Sequence, residues 1–194
     1  MMKKLVLASA SPRRRMLLNQ IGLNFQVQPS HCEEMITSLK PEEVVRELAE
    51  LKALNVAGSI KGDAVIIGAD TVVACGGIIL GKPKDALDAK RMLTYLSGKN
   101  HQVHTGVCVL ISQEDKSVKH VFDDVTDVRM YDLTKEEILW YIESGEPMDK
   151  AGAYGIQGLG SVLIKEIHGD YNTVVGLPLA RLYRILKPYL SEGS

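Results

Sequence analysis

A single carboxylate, Asp70, follows the most apolar stretch of this sequence, AVIIGA at residues 64–69, and Thr71 comes directly after it. A stretch this apolar is typical of a strand covered on both faces. In open α/β sheets, ligands bind at the carboxyl ends of such strands. Asp70 therefore has the residue type and the predicted position of a general base or a metal ligand. An acidic turn residue or a helix cap is the alternative interpretation.

Positive charge is concentrated in a second stretch, LASASPRRR at residues 7–15. Ser11 has the position of a helix N-cap, and Pro12 suits the first helical residue. Arg13–Arg15 then crowd the helix N-terminus, where the macrodipole favours acidic residues. An anion held by backbone N–H groups, guanidinium groups and hydroxyls such as that of Ser9 would balance this charge. A solvated basic helix start is the alternative.

Other charged residues could complete a site for a charged ligand. Lys82 in LGKPKD suits a phosphate as a point charge, although an exposed basic turn has the same pattern. Lys52 flanks the apolar face of a predicted helix, a pattern that surface lysines also have. Glu33 and Glu34 could add a second metal-binding carboxylate, or they could be a solvated acidic pair. Asp85 is explained as a helix N-cap instead.

A glycine-rich stretch, DKAGAYGIQGLG, covers residues 149–160. Such a segment can bring backbone N–H groups close to a ligand. Gln157 within it could present both a donor and an acceptor to the edge of a base. The stretch has neither the spacing of a P-loop nor the GxGxxG pattern between a strand and a helix, so those nucleotide-binding folds are disfavoured. A tight connection before a strand is the alternative.

The elements that must position these residues alternate between helical and strand patterns. Asp85 and Thr134 are predicted N-caps, and the two long strands around SQEDKS predict an antiparallel hairpin. His101 and His104 are three apart on one of these strands, so they should face opposite sides and be structural. The predicted helices are 12–21, 41–58, 86–96, 134–144 and 177–188. The predicted strands are 4–8, 24–28, 64–69, 72–75, 78–80, 101–112, 117–130 and 161–167. We expect an α/β fold with a long curved mixed sheet between two lobes.

The bulk properties exclude several classes of protein. With 194 residues, 45% hydrophobic and 24% charged, the chain has the composition of a globular protein. A formal net charge of −1 disfavours a protein that coats nucleic acid. No stretch approaches the length of a transmembrane helix. Three widely separated cysteines predict neither a disulfide framework nor a zinc site, and a cytoplasmic location is expected.

Six motifs in order resemble those of one family, the Maf-like nucleoside triphosphate pyrophosphatases, which are associated in bacteria with septum formation. They cover residues 7–179 and read LASASPRR, GADTVV, LGKPKD, LSGKNHQVHTGV, DKAGAYGIQG and VVGLPL. The resemblance implies one domain over residues 1–194, with an elongated mixed β-sheet flanked by helices and a substrate cleft between two lobes. It also implies a homodimer. The net charge and the lack of a long apolar stretch lead us to expect neither nucleic-acid nor membrane partners.

The activity implied by the resemblance is hydrolysis of a nucleoside triphosphate between its α- and β-phosphates, giving the monophosphate and pyrophosphate. A divalent cation, Mg²⁺ or Mn²⁺, is expected. The motif DKAGAYGIQG resembles that of the branch acting on dTTP and UTP. The same branch is implied by Arg13, Thr71 and Gln157, which occupy the family's specificity positions. Ordinary and modified pyrimidine nucleotides both remain open as substrates.

The same resemblance gives roles to individual residues. Asp70 is the implied proton acceptor, and Glu34 is the family's other acidic position, which Glu33 could also fill. Both Asp70 and Glu34 are implied metal ligands, and which role of Asp70 dominates stays open. Four residues are implied contacts of the polyphosphate: Ser9, Arg14, Lys52 and Lys82.

Two alternatives come from other functional classes. A non-catalytic nucleotide-binding regulator of cell division would bind the triphosphate without turnover. A phosphatase would release orthophosphate rather than pyrophosphate.

Overall fold

The computed structural model describes residues 4–34, 36–113 and 116–190. Within them, seven strands form one sheet in the order β2-β1-β3-β5-β6-β7, with β4 paired to β3. The strands are β1 (Lys4–Leu7), β2 (Gln26–Val27), β3 (Ala64–Cys75), β4 (Ile78–Leu80), β5 (Asn100–Gln113), β6 (Lys116–Met130) and β7 (Ile164–His168). The helices are α1 (Pro12–Gln20), α2 (Pro41–Ala57), α3 (Ala86–Leu96), α4 (Lys135–Glu143), α5 (Tyr171–Val175) and α6 (Leu179–Leu190).

The sheet is mixed, as predicted. β1 pairs in parallel with β2 and with β3, whereas β3 pairs antiparallel with β4, and β6 with β7. Helices alternate with the strands along the chain, which confirms the α/β class. β5 and β6 are neighbours in the sheet, as the hairpin prediction requires. Residues 114–115 of the predicted hairpin turn lie outside the described residues.

The chain divides into two compact units. The first unit contains residues 1–70, 105–124 and 176–194. Its elements include β1, α1, α2, α6 and the first half of β3. One of its cores packs small apolar side chains of α2 against the strands, a composition that permits close helix–strand contact. Its buried members are Val6, Ala8, Ala49, Ala53, Val56, Ala64, Ile66, Cys108 and Leu110.

The second unit contains residues 71–104 and 125–175. Larger side chains from α3, α4 and the strands fill its core, among them Leu93, Leu96, Met130 and Tyr141. Both helices start as predicted. The Asp85 side chain accepts a hydrogen bond from Asp88 N, and Thr134 forms a complete capping box with Glu137. The prediction of a single domain over residues 1–194 stays a prediction.

Besides shifts of a few residues at other element ends, three features differ from the predictions. β3 runs without interruption from Ala64 to Cys75, because Val73–Cys75 pair with β4 and extend the strand beyond Asp70. The predicted strand 161–167 begins only at Ile164, since residues 158–163 form a 3-10 helix. α5, at Tyr171–Val175, was not predicted. Among the residues described, we find no helix with the length and apolar character that a membrane span requires.

Candidate functional site

Asp70 lies within β3 rather than at the end of a strand, which corrects the prediction. The preceding residues 64–67 pair in parallel with β1, and the following residues 73–75 pair antiparallel with β4. Leu7 is the last residue of β1 in this ladder, where it lies beside Ile67. Asp70 and Thr71 are both partly buried in a strand otherwise largely closed to solvent. Asp70 therefore lies between the segment of β3 that pairs with β1 and the segment that pairs with β4.

Lys52 of α2 joins two carboxylates in the first unit. Its Nζ lies 2.5 Å from Asp70 Oδ1 and 2.8 Å from Glu34 Oε1. The side chains of Lys52 and Asp70 are each only 15% exposed, whereas that of Glu34 is 49% exposed. Lys52 is thus not the surface lysine that its sequence pattern also permitted. Three predicted site residues meet here at one positive charge.

Two glycines let α2 pack closely enough for this contact. A Cβ atom at Gly68 would lie 2.1 Å from the carbonyl oxygen of Ala49 and 2.8 Å from Ala53 N. At Gly106 in β5, it would lie 2.2 Å from the carbonyl oxygen of Val45. Any side chain at either position would push α2 away from the strands. Neither glycine was predicted to have this role, although an isolated glycine in a strand indicates close backbone approach.

The segment that carries Glu34 is fastened to the same helix. Asn55 Oδ1 accepts hydrogen bonds from Ser30 Oγ at 3.0 Å and from His31 N at 3.3 Å. Asn55 is one helical turn beyond Lys52, so one face of α2 contacts both the carboxylates and the segment leading to Glu34. No sequence pattern points to Asn55, because its partners are distant in the chain.

The start of α1 supplies a third group of predicted site residues. Ser11 is the N-cap, as predicted, and its Oγ accepts from Arg14 N at 3.4 Å. Ser9 is buried, and its Oγ accepts from Ser11 N at 3.2 Å. The three arginines differ in exposure: Arg14 is buried, Arg13 is partly buried and Arg15 is exposed. A uniformly solvated basic helix start is therefore wrong.

Arg14 directs its side chain into the protein. Its Nε donates to the carbonyl oxygen of Gly176 at 2.8 Å, and its Nη1 donates to that of Ala69 at 2.9 Å and to Ser9 Oγ at 3.1 Å. Desolvation by burial lowers the pKa of the Arg14 guanidinium, and the nearby charge of Asp70 opposes this shift. The Arg14 side chain thus links the N-terminus of α1 to the backbone of β3 next to Asp70.

Thr71, Lys82 and Gln157 belong to the second unit. Lys82 is exposed and follows Gly81, whose carbonyl oxygen accepts from Gly152 N at 3.0 Å. Gln157 is partly buried and precedes the 3-10 helix at residues 158–163. The glycine-rich stretch contains parts of three short 3-10 helices, at residues 146–149, 151–153 and 158–163, and Gly152 within it has a φ of 68°.

The histidines have structural surroundings, as predicted. His101 Nε2 and the Tyr154 hydroxyl share a buried hydrogen bond of 2.7 Å. Burial lowers the pKa of His101 to about 4. His104 is buried as well, in agreement with the structural role predicted for both residues.

The carboxylate oxygens of Asp70 and Glu34, which lie near Lys52 Nζ, are the groups most suited to bind a metal ion. Among the residues that the structure describes, no group of three or more His, Cys, Asp or Glu side chains is arranged to hold one. Asp70 and Glu34 nevertheless direct carboxylate oxygens at a common cationic group. Two carboxylates are enough for Mg²⁺ when phosphate oxygens and water complete the coordination. The donor set therefore fits a divalent cation brought in with a phosphorylated ligand.

Curated proteins similar to this chain match it over nearly its whole length. A protein from Agathobacter rectalis named dTTP/UTP pyrophosphatase is 54% identical, covering 96% of this chain and 97% of its own. A protein of the same name from Aquifex aeolicus is 48% identical, covering 95% of this chain and 94% of its own.

The fold is also found among solved structures. A HAM1 protein from Coxiella burnetii has a TM-score of 0.54 over 96% of this chain and all of that one, with 15% identity. A model of the family described as "Maf-like protein" matches residues 4–189. The chain therefore belongs to the Maf-like protein family.

Proposed function

We propose that this chain is a pyrophosphatase that hydrolyses dTTP and UTP to the monophosphate and pyrophosphate. The observation that carries the proposal is the arrangement of Asp70, Lys52 and Glu34, two carboxylates that share one ammonium group. The buried Arg14 guanidinium binds to the peptide adjoining this arrangement. The names of relatives about half identical over nearly the whole chain support the same reaction and the same substrates.

A divalent cation, Mg²⁺ or Mn²⁺, belongs to the proposal. Asp70 and Glu34 are the residues that would hold it, because their oxygens already face one cationic group. When bound, such a cation would neutralise phosphate oxygens and make the α-phosphorus more electrophilic.

The chain's own residues would provide the remaining chemistry. Asp70 accepts a proton from the water whose oxygen attacks the α-phosphorus. As the new oxygen–phosphorus bond forms, the bond from the α-phosphorus to the bridging oxygen breaks and pyrophosphate leaves. Lys52 keeps the Asp70 carboxylate in one orientation through its hydrogen bond. This fixed orientation matters because proton transfer requires a donor and an acceptor within hydrogen-bond reach.

The substrate contacts are proposed from the family motifs. The positive charges of Arg13, Lys52 and Lys82 would stabilise the charge that develops on the leaving pyrophosphate, and the Ser9 hydroxyl would contact the polyphosphate. Thr71 and Gln157, together with Arg13, would select the pyrimidine.

Product analysis tests the proposal directly. The purified chain is incubated with dTTP, UTP, CTP, ATP and GTP, with and without Mg²⁺ or Mn²⁺, and the products are separated by ion-exchange chromatography. We expect metal-dependent monophosphate and pyrophosphate, formed fastest from dTTP and UTP. Orthophosphate and a diphosphate would favour a phosphatase, whereas tight binding without turnover would favour a non-catalytic nucleotide-binding regulator. Fastest turnover of a purine would contradict the roles of Thr71 and Gln157.

Several accompanying properties are proposed from the family resemblance together with the composition and charge of the chain. They are a cytoplasmic location, a homodimeric state, the absence of nucleic-acid and membrane partners, and participation in septum formation. Sedimentation equilibrium would test the dimer, with twice the chain mass of 21.3 kDa as the expected result.

A further inference from the structure

We propose that Arg14 is a positioning residue for Asp70 rather than a ligand of the polyphosphate. This inference rests on the proposed function, since it assigns Arg14 a role in the hydrolysis. It departs from the role that the family motif implies for this residue. The observation behind it is the set of protein atoms to which the Arg14 guanidinium donates.

The first of these acceptors adjoins the proposed proton acceptor. Arg14 Nη1 donates at 2.9 Å to the carbonyl oxygen of Ala69, which belongs to the peptide bond between Ala69 and Asp70. Fixing this peptide plane fixes the direction in which the Asp70 side chain leaves β3. Lys52 holds the same side chain at its far end, at Oδ1. Asp70 is thereby constrained at its backbone and at its carboxylate by two different basic residues.

The other acceptors anchor the guanidinium itself. Nε donates to the carbonyl oxygen of Gly176 at 2.8 Å, and Nη1 also donates to Ser9 Oγ at 3.1 Å. These acceptors come from the segments just before α6 and just after β1. Only 9% of Arg14 is exposed, so the group is held within the first unit.

These bonds leave little capacity for a phosphate. A guanidinium has five N–H donors, of which Nε carries one and Nη1 two. The Nε hydrogen and both Nη1 hydrogens are already directed at Gly176, Ala69 and Ser9. Bidentate binding of an oxyanion requires two adjacent donors, and every such pair on Arg14 includes Nε or Nη1. A two-point contact with phosphate would therefore break a buried hydrogen bond.

The geometry also explains why this position needs arginine. A planar guanidinium reaches three acceptors in fixed directions, whereas lysine provides a compact charge on a flexible stem. Arg14→Lys keeps the positive charge near Asp70 but loses this geometry. A lost positioning contact should reduce the rate of the chemical step while leaving ground-state affinity intact. Loss of a phosphate ligand should weaken binding of the triphosphate.

The test compares charge-conserving variants of the three neighbouring arginines. Arg14→Lys, Arg13→Lys and Arg15→Lys are assayed with dTTP and Mg²⁺ for kcat and KM. Binding of a dTTP analogue with a non-hydrolysable α,β-bridge is measured by calorimetry. Arg15 is exposed and serves as the matched control. For Arg14→Lys we expect kcat to fall by about 100-fold, the scale of a misplacement of roughly 1 Å, with Kd within about threefold of wild type.

Two results would overturn the inference. One is a Kd for Arg14→Lys weakened tenfold or more with kcat near the wild-type value, as expected of a phosphate ligand. The other is no change in either constant. If Arg14→Lys does not fold, as judged by its thermal midpoint, Arg14→Gln is assayed under the same criteria. Failure of the proposed function is distinguishable, because the wild-type chain would then form no pyrophosphate at all.

Discussion

The N-termini of α1 and α4 follow opposite rules. α4 begins with the Thr134 capping box and has Glu136 and Glu137 in its first turn, where they complement the helix dipole. α1 also has a side-chain cap, Ser11, but its first turn contains no acidic residue and carries arginines instead. The hydrogen bonds of the α4 cap join Thr134 and Glu137 of the same helix start. The α1 start is joined through Arg14 to β3 beside Asp70.

This contrast shows that the helix start next to the candidate site is locally the less favourable of the two. Basic residues in the first turn cost up to about 1 kcal/mol each at an exposed helix start. In α1, buried hydrogen bonds from Arg14 to two carbonyls offset that cost. Departures from local sequence rules that are compensated by distant contacts are expected at functional sites. Substitutions around α1 and β3 should therefore affect activity most, and those around α3 and α4 should affect stability.

The largest effect is expected from Asp70→Asn. The amide keeps the shape of the side chain but cannot accept the proton of the attacking water, so kcat should fall by about 10³-fold or more. Binding of a non-hydrolysable dTTP analogue should be largely kept. Asp63→Asn, at an exposed aspartate just before β3, is the matched control. Wild-type turnover in Asp70→Asn would remove this residue from the mechanism.

Gly68→Ala should reduce both stability and activity. Its Cβ would lie 2.1 Å from the Ala49 carbonyl oxygen, which is backbone and cannot rotate away. Forcing α2 outward should lower the free energy of unfolding by about 3 kcal/mol and separate Lys52 from Asp70. Urea unfolding and kcat/KM measure the two effects. Gly58→Ala, where the nearest atom would be 3.7 Å away, should be near neutral. A Gly68→Ala protein with wild-type stability would contradict the packing described for α2.

His101 should make the second unit sensitive to acid. Burial lowers its pKa from 6.5 to about 4 in the folded protein, so the unfolded chain binds a proton that the folded one does not. The free energy of unfolding should therefore fall by up to about 3 kcal/mol as the pH drops from 6.5 to 4. Above pH 6.5 His101 is neutral in both states, so this loss of stability is absent there. Urea unfolding of wild type and His101→Gln measures it. His31→Gln, at an exposed histidine, is the matched control variant. An unchanged pH dependence in His101→Gln would exclude this origin.

The smallest effects are expected from substitutions of the two helix N-caps, which can be compared directly. Thr134→Ala and Ser11→Ala should each lower the free energy of unfolding by about 1 kcal/mol, because each removes a side-chain acceptor at a helix start. Only Ser11→Ala should also reduce kcat/KM, by roughly tenfold, since a frayed α1 start loosens Arg14. Equal losses of activity in the two variants would show that the α1 start has no special connection to the site.

The caps were predictable from sequence because they depend on residues within one turn. Ser11, Asp85 and Thr134 each have a local pattern, and the structure confirms all three. The position of Asp70 was predicted less well. Its strand continues because of pairing with β4, a contact that the apolar pattern of residues 64–69 does not contain.

The partners of the charged side chains were beyond sequence reasoning. Successive residues of a helix differ by about 100° in direction, so three adjacent arginines must face differently, but their pattern does not say which one faces inward. The choice of Arg14 depends on carbonyls at residues 69 and 176, far along the chain. Lys52 likewise became a site residue only because Gly68 lets α2 approach β3.

Hydrolysis of dTTP in ¹⁸O-labelled water tests the central claim, attack of water at the α-phosphorus. Mass spectrometry of the products locates the label. We predict that the label enters dTMP and that the pyrophosphate is unlabelled. Label in the pyrophosphate would mean attack at the β-phosphorus, and labelled orthophosphate would mean removal of the terminal phosphate. Either result would contradict the mechanism proposed for this chain.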